Sequence, residues 1–126
     1  MSAPKTRLAT WSALAEGQPQ AARAGGVDLV IVRLGDAPHV LYGRCPHRGA
    51  HLAGGCLEGR DLVCRAHGWD FRIDTGESAQ IEGERVARFD ATLDLAADAV
   101  LVDEAQIAAW ARANPQAFDE DELSKL

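Results

Sequence analysis

Apolar residues fall in short blocks along this chain, and glycine or proline separates most of them, a rhythm of strands and turns. Val27 to Leu34 (VDLVIVRL) is rich in β-branched residues and follows Gly25-Gly26, which predicts a buried strand. Asp36-Ala37-Pro38 marks a turn, and His39 to Gly43 reads as the returning strand of a hairpin. Residues 44–59 lose all periodicity, and Gly49, Gly54, Gly55 and Gly59 punctuate them just after Gly43, so a long loop is expected. Asp61 to Cys64 predicts a short strand entered through a Glu58-Gly59-Arg60 turn, and a second glycine-marked loop, Arg65 to Gly68, follows it. Phe71 to Ile73, Arg85 to Phe89, Thr92 to Leu95 and Ala99 to Val102 read as further strands.

The pattern then changes. Asp103 is a good helix N-cap, Glu104 to Arg112 carries an apolar stripe of Ile107, Trp110 and Ala111, and Asn114-Pro115 is a stop. That stripe either docks the helix on its own core, which is the commoner arrangement, or offers a groove to a partner. Residues 116–126 are acidic. The prediction is an all-β core bearing two glycine-rich loops, with one C-terminal helix.

Length and charge narrow the class. The 126 residues suffice for one domain with a modest core. The N-terminal residues Met1 to Arg7 are polar with no apolar stretch behind them, and no apolar run approaches membrane-spanning length, so a cytoplasmic protein without a membrane partner is expected. A net charge of −6 argues against nucleic acid as a partner. The charge is uneven. Residues 41–72 hold five arginines against three carboxylates, whereas residues 73–126 hold four basic against thirteen acidic residues.

Three cysteines suit metal binding better than a disulfide framework in a cytosolic chain. The first loop reads Cys45-Pro46-His47-Arg48-Gly49-Ala50-His51-Leu52, and the second Cys64-Arg65-Ala66-His67-Gly68-Trp69-Asp70-Phe71. The skeleton is C-x-H, sixteen residues, then C-x-x-H. Thiolate and neutral imidazole suit both iron–sulfur centres and zinc, and two short Cys/His pairs on facing loops enclose one site. The glycines allow close backbone approach. A mononuclear Cys₂His₂ zinc site in a redox-inactive binding module is the rival, although zinc fingers normally use C-x₂₋₄-C with H-x₃₋₅-H.

These loops resemble the Rieske [2Fe-2S] family, and their flanks resemble its ferredoxin and ring-hydroxylating oxygenase branch. The resemblance covers roughly residues 27–102 and extends to Gly49, Gly68, Trp69 and Phe71. It implies an antiparallel β-sandwich with an inserted cluster-binding subdomain of two loops. The division that follows is a Rieske domain over 1–102 with cluster loops at about 44–71, a helix over 103–114 and an acidic tail over 115–126. It implies one [2Fe-2S] cluster per chain, with Cys45 and Cys64 on the inner iron and His47 and His67 on the outer, surface-facing iron. Arg48, Gly49, Gly68, Trp69 and Phe71 would form the layer behind those ligands.

High-potential members of the family carry a disulfide between two cysteines at the positions of Ala50 and Ala66, and a Ser and a Tyr at those of Trp69 and Phe71. Those hydroxyls donate to sulfur and favour the reduced cluster. Their absence implies a low-potential cluster.

Function follows the same comparison. The leading expectation is a one-electron carrier between a reductase and an oxygenase, an electron-transfer component rather than an enzyme by itself. A complete oxygenase needs a second iron held by two His and a carboxylate, and only His39 and His51 lie outside the cluster set. A module of a larger oxidoreductase stays open, and the acidic tail and Trp110 helix resemble Rieske modules that serve a flavoprotein. Cys56 reads as a small, partly buried loop residue, with an auxiliary redox role as the alternative. His51 reads as an ordinary loop histidine or a partner of the ligand layer, and His39 as a structural strand residue. Arg44, Arg48 and Arg65 either form a docking rim or pair locally with Asp61 or Asp70.

Overall fold

The computed structural model describes residues 5–45, 51–64, 69–78 and 82–114. Among them are ten strands: β1 Thr6–Thr10, β2 Gln20–Ala24, β3 Val27–Leu34, β4 Ala37–Tyr42, β5 Cys56–Glu58, β6 Asp61–Val63, β7 Asp70–Arg72, β8 Arg88–Phe89, β9 Ala91–Asp94 and β10 Ala99–Val102. One helix, α1, spans Glu104–Ala113. The strands form three antiparallel sheets in the orders β1-β10-β9, β2-β3-β4-β8 and β5-β6-β7.

The four-stranded sheet is central because β3 is apolar on both faces. Val27, Leu29 and Ile31 join Trp11, Val40, Val100, Val102 and Ile107 in one core, which unites this sheet with β10 and α1. Val30 and Val32 point the other way, into a second core with Leu41, Leu52, Leu62, Phe71, Ile73 and two cysteines. Alternation along a strand sends neighbouring side chains to opposite faces, so burial of both faces turns VDLVIVRL into a nearly continuous apolar run. The β5-β6-β7 sheet therefore packs on the other face of the central sheet and shares this second core with it.

Gly25 and Gly26 close the β2–β3 hairpin with φ of +57° and +76°, the paired left-handed geometry of a tight hairpin turn. Gly25 is also the seat of α1. A Cβ there would stand 3.1 Å from the Ala108 nitrogen and the Glu104 carbonyl oxygen. Glu104 fixes the helix start by accepting from the Gly25 N–H at 3.1 Å and the Thr6 hydroxyl at 3.1 Å. Asp103 caps the helix as its sequence position predicts, accepting from the Gln106 N–H at 3.1 Å. Ile107 is fully buried, and Trp110 packs on Tyr42 (ring centroids 5.1 Å) and edge-on to Phe89 (5.3 Å). The stripe thus docks the helix on its own core.

Several sequence expectations need correction. Residues 44–59 are not loop throughout, since a 3-10 turn at Leu52–Gly54 and strand β5 lie within them. The strand expected over Arg85 to Phe89 shortens to Arg88–Phe89. Its first residues bond singly instead, with the Val86 N–H donating to Gly76 and the Ala87 carbonyl accepting from Tyr42. The strand expected from Phe71 to Ile73 runs Asp70–Arg72. Strands β1 and β2 carry no strong strand pattern and form because β10 and β3 offer them edges.

Candidate metal centre

Both cysteine-bearing loops are closed at their bases. The first leaves β4 at Gly43, whose N–H donates to the Asp28 carbonyl at 2.8 Å and whose carbonyl accepts from the Leu52 N–H at 2.7 Å. Arg44 and His51 then bridge in antiparallel fashion. These pairings join the segment that ends at Cys45 to the segment that begins at His51. A Cβ on Gly43 would stand 2.9 Å from the Leu29 carbonyl carbon, so only glycine lets the loop leave the sheet this closely. Cys64 follows β6, and its N–H donates to the Trp69 carbonyl at 2.7 Å, which joins the end of β6 to the start of β7.

The two cysteines meet the same core. Cys45 is 0% and Cys64 1% exposed, both packed among Val30, Leu41, Leu52, Leu62 and Phe71. No disulfide joins them. Gly55 presses against the end of β6, one residue before Cys64, where a Cβ would lie 2.0 Å from the Val63 carbonyl oxygen. Phe71 is fully buried in this core, and Trp69 is half-buried against it. Two thiols in one buried apolar cradle are a donor set that fits an iron–sulfur cluster. His47, Arg48, Gly49, Ala50, Arg65, Ala66, His67 and Gly68 lie outside the described residues. Among the described residues, no three His, Cys, Asp or Glu side chains gather as a metal site.

The remaining expected residues take structural places. His51 caps the 3-10 turn, with Nδ1 accepting from the Ala53 N–H at 3.1 Å. Burial, followed by the nearby Arg44 charge, lowers its pKa, in keeping with an unprotonated, accepting Nδ1. Arg44 pairs with neither Asp61 nor Asp70. Its guanidinium meets Asp28 at 3.0 Å, with both side chains largely covered, because the β3–β4 register sets Leu29 opposite Tyr42 and so brings their neighbours together. Cys56 lies exposed in β5 rather than partly buried in a loop. His39 is buried in β4, opposite Val32, on the face toward the cysteine core. Its Nδ1 and Oδ1 of Asp70 are buried without a hydrogen-bond partner among the described residues. Sequence inspection overlooked Asp28, whose place in an apolar strand run was the available signal.

Comparison with known proteins agrees with this centre. A family model described as Rieske [2Fe-2S] domain matches residues 5–90. The alpha subunit of phenoxybenzoate dioxygenase from Ectopseudomonas oleovorans is 43% identical over 58 residues, which is 45% of this chain but only 14% of that subunit. The ferredoxin of carbazole 1,9a-dioxygenase from Nocardioides aromaticivorans IC177 superposes with a TM-score of 0.73 at 26% identity, covering 79% of this chain and 97% of that one. A ferredoxin from Sphingomonas yanoikuyae B1 shares the fold with a TM-score of 0.72 at 24% identity over 79% of this chain and 98% of its own. With most of its length matched by the family model and Cys45 and Cys64 buried in one core, the chain belongs to the Rieske [2Fe-2S] domain family.

Proposed function

We propose that this chain is a one-electron carrier of low potential that passes electrons from a reductase to an oxygenase or another oxidoreductase, and that Cys45, His47, Cys64 and His67 hold its cluster. A Rieske [2Fe-2S] domain carries one such cluster per chain, and that cluster supplies reversible one-electron chemistry when bound. Cys45 and Cys64 supply thiolates from the dry core, where their apolar neighbours exclude water. His47 and His67, two and three residues further along their loops, supply the imidazoles, whose outer edges face a docking partner.

One observation favours a carrier over an oxygenase. The two histidines outside the proposed ligand set are both committed to the scaffold, His51 as a turn cap and His39 beneath the central sheet. Neither is free to build a second, mononuclear iron site within this domain. The likeness to a dioxygenase ferredoxin across nearly all of that protein supports the same reading. A second reading, a module of a larger oxidoreductase such as a flavin-dependent enzyme, is favoured by the small share of the dioxygenase subunit that this chain spans. We place the carrier in the cytoplasm; no helix among the described residues is long and apolar enough to cross a membrane.

The test is reconstitution. A purified reductase and a ring-hydroxylating oxygenase that lacks its own ferredoxin should form product when this chain is added, in proportion to its reducible cluster. A chain that takes up no electron reversibly is not a carrier. One that is reduced only when fused to a flavoprotein domain is a module.

A further inference from the structure

A groove of about 400 Å³ runs between the end of α1 and the segment that leads into β8, lined by Arg85, Ala87, Arg88, Trp110 and Asn114. Its floor is the indole of Trp110, half-buried by Tyr42 and Phe89, beside Ala87. Its rim is cationic. Arg85 and Arg88 are both exposed, and among the described residues neither has a carboxylate partner. Arg88 is held in place by its Nε, which donates to the Ile73 carbonyl at 3.2 Å. Arg85 also lines a second hollow, with Glu77, Ser78, Glu82, Gly83 and Glu84, whose three carboxylates make it a poorer seat for an acidic occupant than the Trp110 groove.

We propose that this groove is the docking site of the chain's own acidic segment, residues 115–126. Position and charge carry the argument. Asn114, the last described residue, is itself part of the groove wall, so the segment starts at the rim. It reads Pro115-Gln116-Ala117-Phe118, then Asp119-Glu120-Asp121-Glu122. An aromatic residue within four positions of Asn114 reaches the indole floor, since an extended chain advances roughly 3.3–3.6 Å per residue. The four carboxylates that follow match the two guanidiniums, which have no carboxylate partner among the described residues. Exposed ion pairs are individually weak, but a covalently attached partner is present at roughly millimolar effective concentration, which lets weak contacts populate the docked state. Docking would cover Arg85 and Arg88 and leave Arg48 and Arg65 of the cluster loops as the cations that an acidic partner meets.

Limited digestion of the intact, cluster-loaded chain with a glutamate-specific protease tests this. Mass spectrometry would follow cleavage after Glu120 and Glu122, normalised to a free peptide of residues 115–126. At low ionic strength the chain should be cut several-fold more slowly than the peptide. About 0.5 M salt should remove that protection, because it shortens the Debye length to a few ångströms. The double substitution Arg85→Glu with Arg88→Glu should remove it at low salt, with the visible absorbance unchanged as evidence of an intact fold. Should that variant fail to fold, the salt series on the unaltered chain decides alone. Equal rates for chain and peptide at low salt would overturn the proposal. So would protection that ignores salt, which places the segment elsewhere, or protection that grows with protein concentration, which places it on a second copy.

Discussion

Cys45, Cys64 and Cys56 are chemically one residue type, and burial separates them. The first two lie in a shared dry core at the mouths of closed loops, whereas the third is exposed on β5. Cys45→Ser and Cys64→Ser are therefore expected to abolish normal cluster assembly, as are His47→Ala and His67→Ala. Cys56→Ser should leave the visible spectrum and potential unchanged. Iron content and absorbance of the five variants check this, and loss of the cluster in the Cys56 variant alone would mean a misassigned ligand. Phe71 offers a second residue-level test. Its ring is fully buried in the cysteine core and brings no hydroxyl to it. The wild-type potential should lie nearer roughly −150 mV than +300 mV, the limits of the family's range. Phe71→Tyr adds a donor, and a hydrogen bond worth about 1 kcal/mol more to the reduced cluster would raise a one-electron potential by roughly 40 mV. Protein-film voltammetry reads that shift, and an unchanged or lower potential would mean the new hydroxyl finds no sulfur. Cys45, Cys64 and Phe71, which the structure buries in one core, stood out in the sequence because the Cys/His spacing marks the two cysteines and the family resemblance marks Phe71. The partner of Arg44 did not, because Asp28 becomes its neighbour only through the β3–β4 register.

Among the elements, the seam between the central sheet and the β5-β6-β7 sheet is where pH should act. His39 sits there, buried on β4 with an unpartnered Nδ1. Burial first, then the charges of Arg88 and Arg60, push its pKa below the ordinary value of 6.5, against the smaller upward pulls of Asp74 and a backbone hydrogen bond at Ile73. Above pH 6.5 the imidazole is neutral in both folded and unfolded chains, and the native state bears no penalty. As pH falls below 6.5 the unfolded chain binds a proton that the folded chain resists, so stability declines until the depressed native pKa is passed. Thermal melts between pH 7 and 5 should show this decline, and His39→Gln should flatten part of it. Parallel curves for the two proteins would remove His39 from the account. Gly55 tests the same sheet by room rather than charge. Gly55→Ala places a methyl group against the Val63 carbonyl, and the resulting shift should cost about 1–3 kcal/mol of stability, measured by denaturant titration. Strands β3 and β10 were readable because their apolar runs are dense. Strand β2 (QAARA) was not, since its alanines signal no strand until β3 pairs with it.

At the scale of the whole molecule, an acidic chain presents its proposed electron-exit face through a locally basic stretch. Arg44 is committed to Asp28, so steering of an acidic partner falls to Arg48 and Arg65. Electron transfer to such a partner should slow as salt brings the Debye length to roughly 8–10 Å, and Arg48→Glu or Arg65→Glu should slow it further at low salt. Stopped-flow rates indifferent to both changes would move the docking face elsewhere. The cluster itself is the claim on which the rest depends, and one measurement reaches it directly: electron paramagnetic resonance of the chemically reduced protein, with iron, sulfide and zinc counted on the same sample. The account predicts two irons and two labile sulfides per chain and a rhombic signal of low average g, the mark of mixed Cys and His ligation. A colourless protein holding one zinc and no iron after anaerobic expression would contradict it.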